Sequence, residues 1–148
     1  MRTTSHLLQA LLDATRIAFP LECVDRVLRA VRVHEVPGGT HCLLGAVDVA
    51  GELVCLYDTR RLLGMSTQAA RVRADDRMVL MRGPVRCALL VDDVLGTVAA
   101  GPIELTGEFG LHAAGLRGVA RADDGVLLVH DVRRLLALER AVPIATDG

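Results

Sequence analysis

Four residues able to bind metals or move protons crowd into the stretch HEVPGGTHC: His34, Glu35, His41 and Cys42. A hydrolytic zinc site built on a His-Glu pair needs a second histidine one helical turn on, with both on one helix face. That histidine is missing, and Pro37-Gly38-Gly39 breaks any helix there, so the stretch reads as a loop without metal. Adjacent carboxylates at Asp75-Asp76, Asp92-Asp93 and Asp123-Asp124 raise acid–base chemistry instead. Neighbours on a strand point to opposite faces and do not readily share one proton, so turns and solvated edges explain these pairs better. Ser5 and Ser66, the two serines, lack the glycine frame of a nucleophile elbow, and His6, His112 and His130 stand alone. The chain contains no lysine, which excludes a P-loop, a Schiff base and a lysine general base. Cys23, Cys42, Cys55 and Cys87 are spread singly through apolar segments and read as small buried hydrophobes in a reducing compartment. No nucleophile, base and oxyanion site come together. The sequence therefore reads as a non-enzyme with no cofactor.

Such a chain must work through its shape and surface. At 148 residues it makes one compact domain or two small lobes, and 51% hydrophobic residues supply ample core. No apolar run approaches the roughly 20 residues that cross a bilayer, so a cytoplasmic protein is expected. All 17 basic residues are arginines, interleaved with 18 acidic ones, and form no stripe for phosphates. Phe19, Tyr57 and Phe109 are too few aromatics for a base-stacking platform, so nucleic acid is not an expected partner.

The chain repeats itself. Residues 43–64 overlie 116–137 without a gap: Leu43, Gly45, Asp58, Arg60, Arg61, Leu62 and Leu63 meet Leu116, Gly118, Asp131, Arg133, Arg134, Leu135 and Leu136. Upstream, VDRVL (24–28) is echoed by VDDVL (91–95). The order is the same in both copies, which reads as an internal duplication. The expected units run over about 15–70 and 77–141 within a domain of 15–141. Residues 1–14 are expected as a lead-in, either a short helix or flexible, and 142–148 as a tail.

Short apolar segments edged by charge or turn residues suit strands: 16–23, 41–49, 52–57, 77–83 and 85–91. Ala50-Gly51 makes a plausible hairpin connection, and Asp124-Gly125 at the equivalent place is a strong hairpin signal. Several strands are apolar on both faces, which places them in a closed barrel or under a neighbouring layer. Asp58 and Asp131 read as helix N-caps rather than catalytic acids. The helix after Asp58 is stopped by Gly64, and the one after Asp131 can run to about Ala141. Val132, Leu135 and Leu136 share its buried face.

Taken together, IAFPLECVDRVL, the VPGG loop, LLGAVDVAGELVCLYDTRRLLG, CALLVDDVLGTV and LRGVARADDGVLLVHDVRRLL make the chain resemble the CheW-like domain of bacterial chemotaxis systems over residues 15–138. The resemblance implies a mainly β fold of two pseudo-repeated five-stranded SH3-like barrels packed together, with short helices after Asp58 and Asp131. It implies a non-enzymatic adaptor in two-component signal transduction, joining a CheA-type histidine kinase regulatory domain to a chemoreceptor cytoplasmic hairpin, with the membrane reached only through receptors. Carried over by position, the partner-binding candidates are Val24, Asp25, Arg26, Val27 and Leu28, with Ala50 and Gly51 at the first hairpin. Core packing is the other reading of Val24, Val27 and Leu28, whose types recur at Val91, Val94 and Leu95. The sequence departs from the family at DVAG, where Ala50 holds a place usually taken by Arg, and at Cys55, in place of a common Pro. Losing that guanidinium removes a fork of donors from the functional face. A divergent interaction module with altered partners, in twitching motility, another output or an inhibitory role, is the alternative reading.

Overall fold

The computed structural model describes residues 4–37, 42–83, 86–104 and 115–141. The chain opens with β1 (Ser5–Leu12), β2 (Thr15–Pro20) and a 3-10 turn at Leu21–Cys23. It continues through β3 (Val24–Arg29), β4 (Val33–His34), β5 (Leu43–Val49), β6 (Glu52–Asp58) and α1 (Thr59–Leu62). Then follow β7 (Arg77–Met81), β8 (Cys87–Val91), β9 (Asp93–Ala100), β10 (Leu116–Ala122), β11 (Gly125–His130) and α2 (Val132–Ala141). The strands form two sheets, in the orders β10-β11-β2-β1-β9 and β3-β7-β8-β6-β5-β4. The second counts six strands because the two-residue β4 is added to its edge.

The two sheets are copies of one plan. In each, an antiparallel hairpin (β5–β6 or β10–β11) pairs in parallel with one strand of a second hairpin (β8 or β2). The other strand of that second hairpin pairs with β3 or β9. Neither sheet is built from one copy of the repeat. The hairpin β1–β2, at the head of the first copy, lies in the sheet with β9, β10 and β11. The hairpin β7–β8, at the head of the second, lies with β3, β5 and β6. The copies exchange their leading hairpins.

This exchange explains strands that are apolar on both faces. In β8, Cys87, Leu89 and Val91 join a cluster with Leu8, Ala10, Leu12, Ile17 and Phe19 of the other sheet. The alternating Ala88 and Leu90 instead join Val47, Val54, Leu56, Met78 and Leu80 inside their own sheet. On the other side, Ala18 and Leu7 face Ala120, Leu127 and Val129. Each exchanged hairpin thus serves a shared core on one face and a private core on the other, as the strand period of two allows.

Residues 5–12 are therefore not a short helix or a flexible lead-in. The pattern LLQALL fits a helix locally, but β1 is held between β2 and β9 and buries Leu7, Leu8, Ala10 and Leu12. The two glycines that recur in the repeat have one structural cause. Gly45 and Gly118 each follow a bulge, and a Cβ at either would collide with the His34 carbonyl oxygen or the Glu104 carbonyl oxygen, respectively. A crossing segment lies against the bulge in both sheets, leaving no room for a side chain.

Candidate functional site

Strand β3 is the edge of its sheet, entered from the other sheet through Pro20 and the 3-10 turn. The Arg82 N–H donates to the Cys23 carbonyl at 2.8 Å, and its Nε to the Val24 carbonyl at 3.2 Å, fixing where the strand begins. Val24 is 7% exposed and packs in the shared core. A bulge between Val24 and Arg26 then resets the register against β7. Beyond it Arg26 is exposed and Val27 is 36% exposed, while Leu28 leans half-buried on the private core of its own sheet. Of the three aliphatic candidates on β3, Val27 is the one open to solvent.

Asp25 faces Arg86, whose Nη2 donates to its Oδ2 at 2.6 Å. The other amino group of the same guanidinium, Nη1, binds the Glu52 carboxylate. Arg86 thereby ties the edge strand to the tip of the β5–β6 hairpin. At that tip Ala50 and Gly51 both have positive φ, 52° and 90°, the pairing of a type I′ turn. The Gly51 N–H donates to Asp48 Oδ1 at 2.7 Å and fixes the turn from below. Glycine suits this geometry, whereas Ala50 carries left-handed strain for a Cβ that is exposed. Two groups of candidates from separate parts of the chain, Asp25 and Ala50-Gly51, are thus linked by one arginine.

Asp58, Asp76, Asp92, Asp124 and Asp131 are occupied by backbone and arginine. Asp58, 1% exposed, accepts from the Arg61 N–H at 3.4 Å and the Ala70 N–H at 2.8 Å, so it holds the start of α1 and the segment beyond it. Asp131 accepts from the Arg133 N–H at 3.0 Å and the Arg134 N–H at 3.4 Å. Asp76 accepts from the Arg73 N–H within a turn, and Asp92 from the Asp13 N–H at 2.5 Å and from Arg60. Asp124 receives Arg16 at 2.8 Å, and that hydrogen bond holds its carboxyl below the usual carboxylate range. Burial pushes the Cys23 thiol up, with Glu22 adding to the effect. Among the described residues no group of three or more His, Cys, Asp or Glu side chains is placed to hold a metal ion. The expected loop at Gly38, Gly39 and His41, together with Phe109 and His112, lies outside the described residues.

The arrangement leaves Arg26 and Val27 exposed on an edge strand beside the Arg86 bridge. The family model of the CheW-like domain matches residues 6–140. The chain belongs to the CheW-like family. It is 20% identical over 127 residues to the chemotaxis protein CheW of Thermotoga maritima, covering 84% of this chain and 83% of that protein. Its fold matches the crystal structure of the scaffolding protein TtCheW from Thermoanaerobacter tengcongensis with a TM-score of 0.73 at 15% identity, over 87% and 90% of the two chains. The family is one of chemotaxis scaffolds and adaptors. No helix among the described residues is long and apolar enough to cross a membrane.

Within this CheW-like domain, the residue that sequence reading missed is Arg86. A signal for it existed. Arg16-Ile17-Ala18 and Arg86-Cys87-Ala88 share their first and third residues at corresponding places in β2 and β8, and each arginine stands one residue before the parallel pairing. Arg16 reaches Asp124 at the β10–β11 turn just as Arg86 reaches Glu52 at the β5–β6 turn. The echo is short and was hidden beneath the longer repeat.

Proposed function

We infer that this CheW-like domain is a cytoplasmic, non-enzymatic adaptor that couples chemoreceptors to a CheA-type histidine kinase. Its membership of the family supports this reading, and the observation that carries it locally is the exposed edge strand β3. That strand presents Arg26 and Val27 beside the Asp25–Arg86–Glu52 bridge. An amphipathic helix from a receptor hairpin needs an aliphatic anchor and a polar rim, and these residues supply both. The guanidinium missing at Ala50 is replaced at that end of the sheet by Arg86, reaching the same hairpin from β8's leading end.

Binding of the purified protein to a receptor hairpin and to a kinase regulatory domain from the same cell tests the reading. Both are expected to bind. Val27→Asp should weaken the receptor contact at least ten-fold, about 1.4 kcal/mol, while leaving the far-ultraviolet circular dichroism unchanged. Binding to neither partner by the wild-type chain would sink the adaptor reading. Loss of fold in Val27→Asp would remove β3 from the interface while leaving the family assignment intact.

A further inference from the structure

Cys55 and Cys87 are partners across the parallel pairing of β6 and β8. The rungs of this ladder alternate between the two cores. Leu56 and Ala88 face the private core of their own sheet, while Tyr57 and Leu89 face the shared one. Cys55 and Cys87 are the next rung on the side of Tyr57 and Leu89, so both side chains leave the sheet in the same direction. Neighbouring strands lie about 4.8 Å apart, inside the roughly 4.4–6.8 Å between Cα atoms that a disulfide spans. The rung runs from solvent to interior. Cys55 is exposed, against the sequence expectation of a buried hydrophobe, although its neighbour Val54 is buried on the opposite face, whereas Cys87 is 1% exposed. Both are thiols in the structure.

We propose that Cys55 and Cys87 form a redox-active dithiol that small-molecule disulfides of the glutathione class oxidise to an intramolecular disulfide. The Cys55 thiolate attacks one sulfur of the reagent, forming a mixed disulfide and expelling one thiolate. Cys87 gives up its proton and attacks the Cys55 sulfur, closing the Cys55–Cys87 bond and expelling the second thiolate. Two protein thiols are oxidised and one reagent disulfide is reduced to two thiols. The exposed member takes the first attack and the buried member resolves it, which divides the labour as accessibility dictates. Cys23 and Cys42 have no place in this pairing. Burial disfavours the Cys23 thiolate, and neither Cys23 nor Cys42 lies in the β6–β8 ladder that brings Cys55 and Cys87 side by side. The new bond would lie one residue from Arg86 and lock β6 to β8 beside its bridge.

The test uses the whole reduced protein, exposed under native conditions to oxidised glutathione, then quenched with acid, unfolded, alkylated and mapped by mass spectrometry. Two of the four cysteines are expected to lose their alkylation, with a Cys55–Cys87 cross-linked peptide in their place. In Cys87→Ser a glutathione adduct should accumulate on Cys55, and in Cys55→Ser Cys87 should stay fully alkylatable. A lasting glutathione adduct at Cys55 of the wild type, a bond to Cys23 or Cys42, or no reaction at all overturns the proposal. Should Cys87→Ser fail to fold, Cys55→Ser decides, since its substitution lies at the surface.

Discussion

Acidifying the protein from pH 7 to pH 5 is expected to remove about 2 kcal/mol of stability through a single side chain. His130 ends β11, is 5% exposed and lies with its ring centroid 6.4 Å from that of Phe19. Burial pushes its pKa down to about 4. In the unfolded chain the imidazole titrates near its ordinary value of about 6.5. Between these two values the unfolded chain binds a proton that the folded chain refuses. Stability is therefore complete above about pH 6.5 and drains away as the pH falls towards 4. The full gap is worth about 3.4 kcal/mol, and roughly 2 kcal/mol of it is gone by pH 5. Against a typical total of about 5–15 kcal/mol this is a large share. Urea unfolding at pH 7, 6 and 5, at constant ionic strength, measures it in the wild type and in His130→Leu. Carboxylates weaken both proteins alike, so the difference between the two curves isolates the histidine. The wild type should lose about 2 kcal/mol more than the variant over this range. Parallel curves would falsify the claim that His130 is buried in its neutral form.

Gly45→Ala and Gly118→Ala should each destabilise the protein by about 2–3 kcal/mol, because a Cβ meets a carbonyl oxygen inside van der Waals distance at both. Denaturant midpoints check this, and a neutral result at either position would show that its bulge can shift. Ala50→Gly relieves a left-handed residue on an exposed turn and should raise stability by about 0.5–1 kcal/mol, read as a higher midpoint at unchanged slope. Arg86→Met keeps the apolar stem but removes both ion pairs. Since these groups are partly exposed, a loss of only about 1 kcal/mol is expected. That loss should vanish in roughly 1 M salt, which screens the wild-type pairs but leaves the variant unchanged.

The hairpins were legible because strand-turn-strand is a local pattern, and Asp124-Gly125 marks its turn in so many letters. Placement among sheets was not. A strand apolar on both faces reveals that it is covered twice, but Ile17, Ala18 and Phe19 do not say which hairpin lies beside them. That choice is made by partners more than a hundred residues away, at Leu128 and Val129. The same limit hid β1, whose helix-compatible letters are overruled by two neighbouring strands. On the candidate surface, VDRVL announced itself through its echo. Yet letters alone could not separate Val24, turned inward ahead of a bulge, from Val27, turned outward after it. Arg86 stayed invisible for a related reason: its meaning lies in two carboxylates that chain folding brings to it from opposite directions.

The exchanged hairpins also bear on how the chain is made. During synthesis β1 and β2 leave the ribosome well ahead of β11, the strand that completes their sheet, which emerges more than a hundred residues later. At roughly 5–20 residues per second, that hairpin waits several seconds with two oily faces uncovered. Translation speed and chaperone supply should therefore bear on the yield of this protein.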